Sequence, residues 1–147
     1  MWDTFPDHIG IIDHINYDKG KVHFIVNKTI DGLINLSEIK EKVEIGSRLL
    51  LKLKQVSKLK DSYYSVLSHS VTQQDTTEKV LSPFHGIVRI HDSIGFVGDV
   101  YIESGLIQAH EIHEGMIING TAIINYNKKK GIWGWRAIAI RSLSAAN

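Results

Sequence analysis

The chain has 147 residues, 43% of them hydrophobic, with 17 lysines and arginines against 16 aspartates and glutamates and no cysteine. That length holds one ordinary domain or two very small ones, and the lack of cysteine excludes disulfides, zinc–thiolate sites and thiol catalysis. A net charge of +1 excludes a chain-wide basic excess, so any nucleic-acid binding must come from a local patch or from ring stacking.

The opening residues, MWDTFPDH, have no basic stretch followed by an apolar one and so do not read as a secretory signal. No apolar run nears the roughly 20 residues that cross a bilayer. A cytoplasmic protein without membrane contact is the expectation. The chain begins abruptly on strand-like sequence, which also fits a piece of a larger protein.

Short β-rich runs then follow one another: IGIIDHI (9–15), KVHFIVN (21–27), SRLLLKLKQV (47–56), SYYSVLSHSVT (62–72), GIVRIHD (86–92), TAIINYN (121–127) and WRAIAIRS (135–142). Few apolar patterns keep a 3.6-residue period for more than two turns, so the chain reads as all-β.

The order of these runs repeats. Gly10-Ile11-Ile12 recurs as Gly86-Ile87-Val88, Phe24-Ile25 as Phe96-Val97, and DGLINLSEI (31–39) as DVYIESGLI (99–107). Gly46 before SRLLLKLK matches Gly115 before MIINGTAI, and SYYSVLSHSV matches WGWRAIAIRS. Separations drift between about 68 residues (Asp31 to Asp99) and about 76 (Gly10 to Gly86), as when loops vary and strands do not. The repeat predicts two tandem five-stranded units: a first domain at 1–72, a linker at 73–81 and a second domain at 82–147. A unit near 65 residues, with glycines where strands start and bend, suits a small closed barrel of the OB type. A single two-sheet sandwich would need no internal repeat.

The second copy resembles a cold-shock domain, whose motifs are K-G-F-G-F-[IV] and D-V-F-V-H-F-S-x-[IL]. Asp92-Ser93-Ile94-Gly95-Phe96-Val97 stands at the first motif and Asp99 to Ile107 at the second. NGTAIINYNKKKGIWGWRAIAI (119–140) follows the fourth strand, polar turn and closing strand. DGLINLSEI of the first copy is similar to the ribosomal RNA-binding barrel motif E-G-L-V-H-I-S-E-L. The resemblance implies a tandem cold-shock-like OB-fold protein whose second and third strands stack on nucleobases. It places Phe96 and Tyr101 on that face, Ile94 where a first aromatic belongs, and Glu103 and Ser104 where a His-Phe pair belongs. In the first copy it places Val22 and Phe24, then Leu33, Asn35 and Leu36, so most of the aromatic platform is missing there.

Residue chemistry adds to this. On a strand, side chains alternate faces, so apolar Val100 and Ile102 belong inside while Tyr101 and Glu103 face out. Phe96 and Tyr101 then either stack on bases or cover a hydrophobic rim. Lys128, Lys129 and Lys130 sit in a turn just before Trp133 and Trp135, which suits phosphates and bases and equally suits a solvated turn beside core tryptophans. Arg136 alternates out of register with both tryptophans, so at least one of them faces inward. Lys52 and Lys54 alternate with Leu51 and Leu53 to give a basic outer face, extended by Lys58 and Lys60.

HEIHE (110–114) places two histidines three apart, not the four of a helical zinc motif, and no phosphate loop or nucleophile elbow is present. No enzyme, metal or cofactor is expected. The expected partner is single-stranded RNA or DNA. The rivals are a protein-interaction module within a larger chain and a sugar-binding or small-ligand-binding barrel that uses Trp133 and Trp135.

Overall fold

A computed structural model describes residues 5–58 and 61–144. The chain divides into two compact units, Met1–Val80 and Leu81–Asn147. Among the described residues nearly all regular structure is β, with two OB-type units in tandem. Lys60 lies outside the described residues.

In the first unit β1 (Asp7–Asn16), β2 (Lys21–Asn27), β3 (Ile30–Asn35), β4 (Arg48–Lys58) and β5 (Asp61–Thr72) form one sheet in the order β3-β2-β1-β4-β5. A one-turn 3-10 helix, Leu36–Glu38, follows β3. The sheet curls so that β3 and β5 approach each other, yet no ladder joins them among the described residues. The result is a half-barrel with a seam.

In the second unit GIVRIHD is not one strand. It breaks at Val88 into the end of β6 (Leu81–Ile87) and β7 (Arg89–His91). The others are β8 (Ile94–Val97), β9 (Val100–Ile102), β10 (Ile117–Asn127) and β11 (Ile132–Ser144), with the short helix α1 (Ser104–Ala109) between β9 and β10. The order β6-β10-β11-β9-β8-β7 begins and ends on the two halves of one interrupted strand, so the ring closes. The closing pair is β11 with β9, in parallel.

Each unit makes the same backbone clasp within itself. Gly46 N–H donates to the Ile12 carbonyl at 2.7 Å and Ile12 N–H to the Ser47 carbonyl at 2.9 Å. In the second unit Gly115 N–H donates to Val88 at 3.0 Å and Val88 N–H to Met116 at 2.9 Å. Gly46 and Gly115 stand at φ 100° and 87°, where side chains carrying a Cβ are strained. Each glycine therefore starts the strand that follows it.

Period-two patterning fills each core. Leu49, Leu51 and Leu53 of β4 point in beside Ile12, Val22, Phe24, Val26 and Ile34. In the second unit Val88, Val97, Val100, Ile102, Ile107, Ile118, Ala122 and Ala137 meet Phe84 and Ile112. Full burial of each large aliphatic side chain contributes about 1.5–3 kcal/mol. Ser104 and Gly105 open α1, and its Ile107 packs into the core. Six residues are too few for helical periodicity to register in sequence.

Candidate nucleic-acid interface

Tight turns set the register of the second unit's outer face. Asp92 and Ser93, at φ 50° and 71°, join β7 to β8, and Gly98 at φ 59° leads from β8 into β9. Positive φ at such positions matches the twist of the flanking strands. The register then places Arg89 opposite Phe96 and Phe96 opposite Tyr101. The parallel ladder places Tyr101 beside Arg136. Gly95, Val97, Val100 and Ile102 are buried between these positions, so all four side chains face outward.

The result is a continuous row across four strands: Arg89, Phe96, Tyr101, Arg136. The two rings have centroids 5.8 Å apart and are tilted by 58°. Phe96 is 37% exposed and Tyr101 is half-buried. Arg89 Nη1 donates to Glu114 Oε2 at 2.9 Å, and Ile90 N–H donates to Glu114 Oε1 at 2.7 Å. The Ile90 N–H bond first, then Arg89, holds the Glu114 carboxyl below its ordinary value. HEIHE thus supplies a carboxylate that steadies Arg89 beside Phe96.

Residues 2–66 match the family S1/CSD-like domain 1 of the TOTE conflict systems, and residues 82–140 match S1/CSD-like domain 2 of the same systems. The chain belongs to this family, as two tandem S1/CSD-like domains. No curated protein and no solved structure matches it significantly.

Within the second S1/CSD-like domain the other expected residues spread apart. Ile94 lies two residues before Phe96 on the same face and is half-buried. Lys128, Lys129 and Lys130 are exposed in the β10–β11 turn, where Asn127 Oδ1 accepts the N–H groups of Lys129 and Lys130 at 3.0 and 3.1 Å. At a strand rise of about 3.3 Å per residue, Ile132 is about 13 Å along β11 from Arg136, and the lysine turn lies beyond it. Trp133 and Trp135 have the opposite parity to Arg136. Trp135 packs against the core, which corrects its assignment as a base-stacking ring. Trp133 is half-buried and meets Tyr126 edge to face, centroids 5.3 Å apart.

In the first S1/CSD-like domain the assignment of Phe24 is corrected. Its ring is fully buried and opposes Gly32, while Val97 opposes Val100. Phe24 is therefore equivalent to Val97, not to Phe96. Matching Phe-Ile on Phe-Val had shifted the strand by one residue, and a one-residue slip turns every side chain to the other face. Val22 is likewise fully buried.

The true outward equivalents are His23 for Phe96, Leu33 for Tyr101 and Ser65 for Arg136 by ladder register, and Asp13 for Arg89, because Asp13 follows Ile12 as Arg89 follows Val88 in the shared clasp; Asp13 sits in a bulge of β1. His23 Nδ1 lies 2.5 Å from Asp13 Oδ1 and its Nε2 lies 2.7 Å from Asp31 Oδ2. Burial lowers the His23 pKa, but hydrogen bonds and charge from Asp13 and Asp31 outweigh it and raise the pKa above the ordinary imidazole value. This row has an imidazole but neither a phenyl or phenol ring nor a guanidinium. Lys52 is half-buried, with its Nζ 2.9 Å from Asp7 Oδ1 and 3.0 Å from the Phe5 carbonyl oxygen. Lys54 is exposed opposite Ser65.

Sequence reasoning missed Arg89 as a flank of the platform, although its alternation with Val88 and Ile90 gives its face. It also missed that Arg136 adjoins Tyr101, because a parallel pairing leaves no local trace.

Proposed function

We propose that the chain binds single-stranded RNA or DNA through its second S1/CSD-like domain and catalyses no reaction. The observation that carries this reading is the outward-facing Phe96–Tyr101 pair bracketed by Arg89 and Arg136. Bases stack on such rings whatever their sequence, each stack being worth about 1–3 kcal/mol. Guanidinium groups beside them suit phosphate, which they hold through paired N–H donors. The lysine turn at 128–130 extends the cationic path along the same hairpin. Membership of the S1/CSD-like family supports the reading, since barrels of this kind take single strands on the corresponding face.

The deciding experiment is fluorescence anisotropy with labelled oligothymidine and oligouridine of about 12 nucleotides, within the usual footprint of such barrels. Measured at about 50 and 200 mM salt, binding should be present and should weaken as salt rises. An absence of binding at the lower salt, or affinity unchanged when Phe96 and Tyr101 are both replaced by alanine, would overturn the reading.

A further inference from the structure

Glu103 follows Tyr101 by two residues, where β9 has ended and α1 has not begun. Its backbone stays extended, φ −70° and ψ 158°, so alternation continues and its side chain leaves on the side of Tyr101, with buried Ile102 between them. The antiparallel register that sets Gly95 against Ile102 brings Glu103 level with Ile94, one step along from the Phe96–Tyr101 pair. At a strand rise of about 3.3 Å per residue, Glu103 stands about 6.6 Å along from Tyr101, within reach of the edge of a base stacked on that ring.

Glu103 is exposed. It makes no capping bond to α1 and no hydrogen bond or ion pair to another described residue. Gly105, where an added Cβ would lie 3.8 Å from Glu103 Oε1, leaves the carboxylate uncovered. Across the ladder Ile94 carries no polar group, and His91 beyond it is turned to Asp92, Nε2 to Oδ2 at 3.2 Å. An ionised carboxylate offers two acceptor oxygens and no donor. Among the bases, guanine alone sets two N–H donors side by side on its Watson–Crick edge, N1–H and the N2 amino group. Thymine and uracil flank a single N3–H with carbonyls, and adenine and cytosine place a ring-nitrogen acceptor beside the amino group. With any of these, the second carboxylate oxygen meets a lone pair.

We propose that Glu103 is a specificity-determining residue of the single-strand interface and selects guanine for the position stacked on Tyr101. The proposal rests on the stacking reading above and adds a base preference to it. One carboxylate oxygen accepts guanine N1–H, the other accepts the N2 amino group, and Tyr101 holds the face of the ring. Stacking and phosphate contacts hold a strand in place, whereas contacts to base edges choose among sequences. The same carboxylate repels the backbone of any strand that presents no such edge, so it separates strands in both directions.

The test is anisotropy titration of the full chain with labelled oligothymidine of about 12 nucleotides and with the same strand carrying interspersed guanine, hypoxanthine or adenine. Hypoxanthine keeps N1–H and lacks the amino group. The guanine strand should bind about tenfold more tightly than oligothymidine, in the usual range for a bidentate base contact, with hypoxanthine between the two and adenine no better than thymine. Glu103→Gln, a near-isosteric change at an exposed position, should weaken binding of the guanine strand and tighten binding of oligothymidine at low salt. A purely repulsive carboxylate would instead shift both strands the same way. Equal wild-type affinity for the guanine and thymine strands, a guanine advantage that survives Glu103→Gln, or hypoxanthine bound as tightly as guanine would each overturn the proposal and leave single-strand binding standing. Absence of binding by every strand would overturn both.

Discussion

Tyr101 and Arg136 lie side by side in the parallel ladder between β9 and β11, whereas the equivalent Leu33 and Ser65 of the first domain share no ladder. That one pairing does two things. It closes the second barrel, and it sets a guanidinium next to an aromatic ring on the outer face. Where the ladder is missing, the first domain has a seam and carries His23 and Leu33 where the second carries Phe96 and Tyr101. Two copies of one plan have thus acquired opposite surface chemistry on nearly the same core.

Replacing Phe96 or Tyr101 by alanine should weaken binding of oligothymidine by about 5- to 150-fold, the equivalent of about 1–3 kcal/mol per lost stack. Phe96 is exposed enough that Phe96→Ala should leave the melting temperature within a few degrees of the parent. Anisotropy titration and thermal melting on the same samples check both halves of this expectation.

The flanking arginines should be visible in the salt dependence. Arg89→Gln and Arg136→Gln should each lower the slope of log affinity against log salt by about 0.7, the value for one phosphate contact on a single strand. Glu103, exposed on the face of Tyr101, should act in the reverse sense, so Glu103→Gln should raise affinity at low salt. Titrations at four or five salt concentrations separate these effects from simple loss of stacking.

Phe24 gives the contrasting case. Its ring is fully buried under Gly10 and Gly32, where an added Cβ would come within 3.1 and 2.7 Å of it. Phe24→Ala should destabilise the first domain by about 3–5 kcal/mol through lost burial and the cavity left behind. Oligonucleotide affinity of the second domain should be unchanged. Urea denaturation followed by circular dichroism, with a parallel binding titration, distinguishes this from a role in stacking.

The Asp13–His23–Asp31 cluster should make stability depend on pH. The folded state raises the His23 pKa, so folding favours the protonated ring. The stabilisation is fully present below the unfolded value of about 6.5 and is lost as pH rises through the higher folded value. Between roughly pH 6 and 9 the wild-type melting temperature should therefore fall more steeply than that of His23→Gln. Parallel melting curves for the two proteins across that range provide the check; equal slopes would remove the cluster from the stability of the first domain.

Much of this could be read from the sequence because it is local. Leu49, Leu51 and Leu53 alternating with Leu50, Lys52 and Lys54 give a strand with one buried face, and the structure buries that face. The matched pair Gly46 and Gly115 marks the same backbone clasp in both domains. The outward setting of Tyr101 followed from apolar Val100 and Ile102 on either side of it.

What the sequence by itself determined is the repeat, the all-β class and the parity of most strands, because side-chain alternation and glycine at positive φ are properties of neighbouring residues. Only the tertiary structure decided which strands pair across the barrel. It showed that Phe24 corresponds to Val97, since only the cross-strand partner reveals a one-residue slip between two Phe-containing strands. It brought Arg89 and Arg136 to the two sides of Phe96 and Tyr101, and turned Trp135 onto the core. The physical reason is that a parallel pairing between β9 and β11 joins residues far apart in the chain through backbone groups, which every residue except proline carries alike. No pattern of side chains along either strand encodes that partnership.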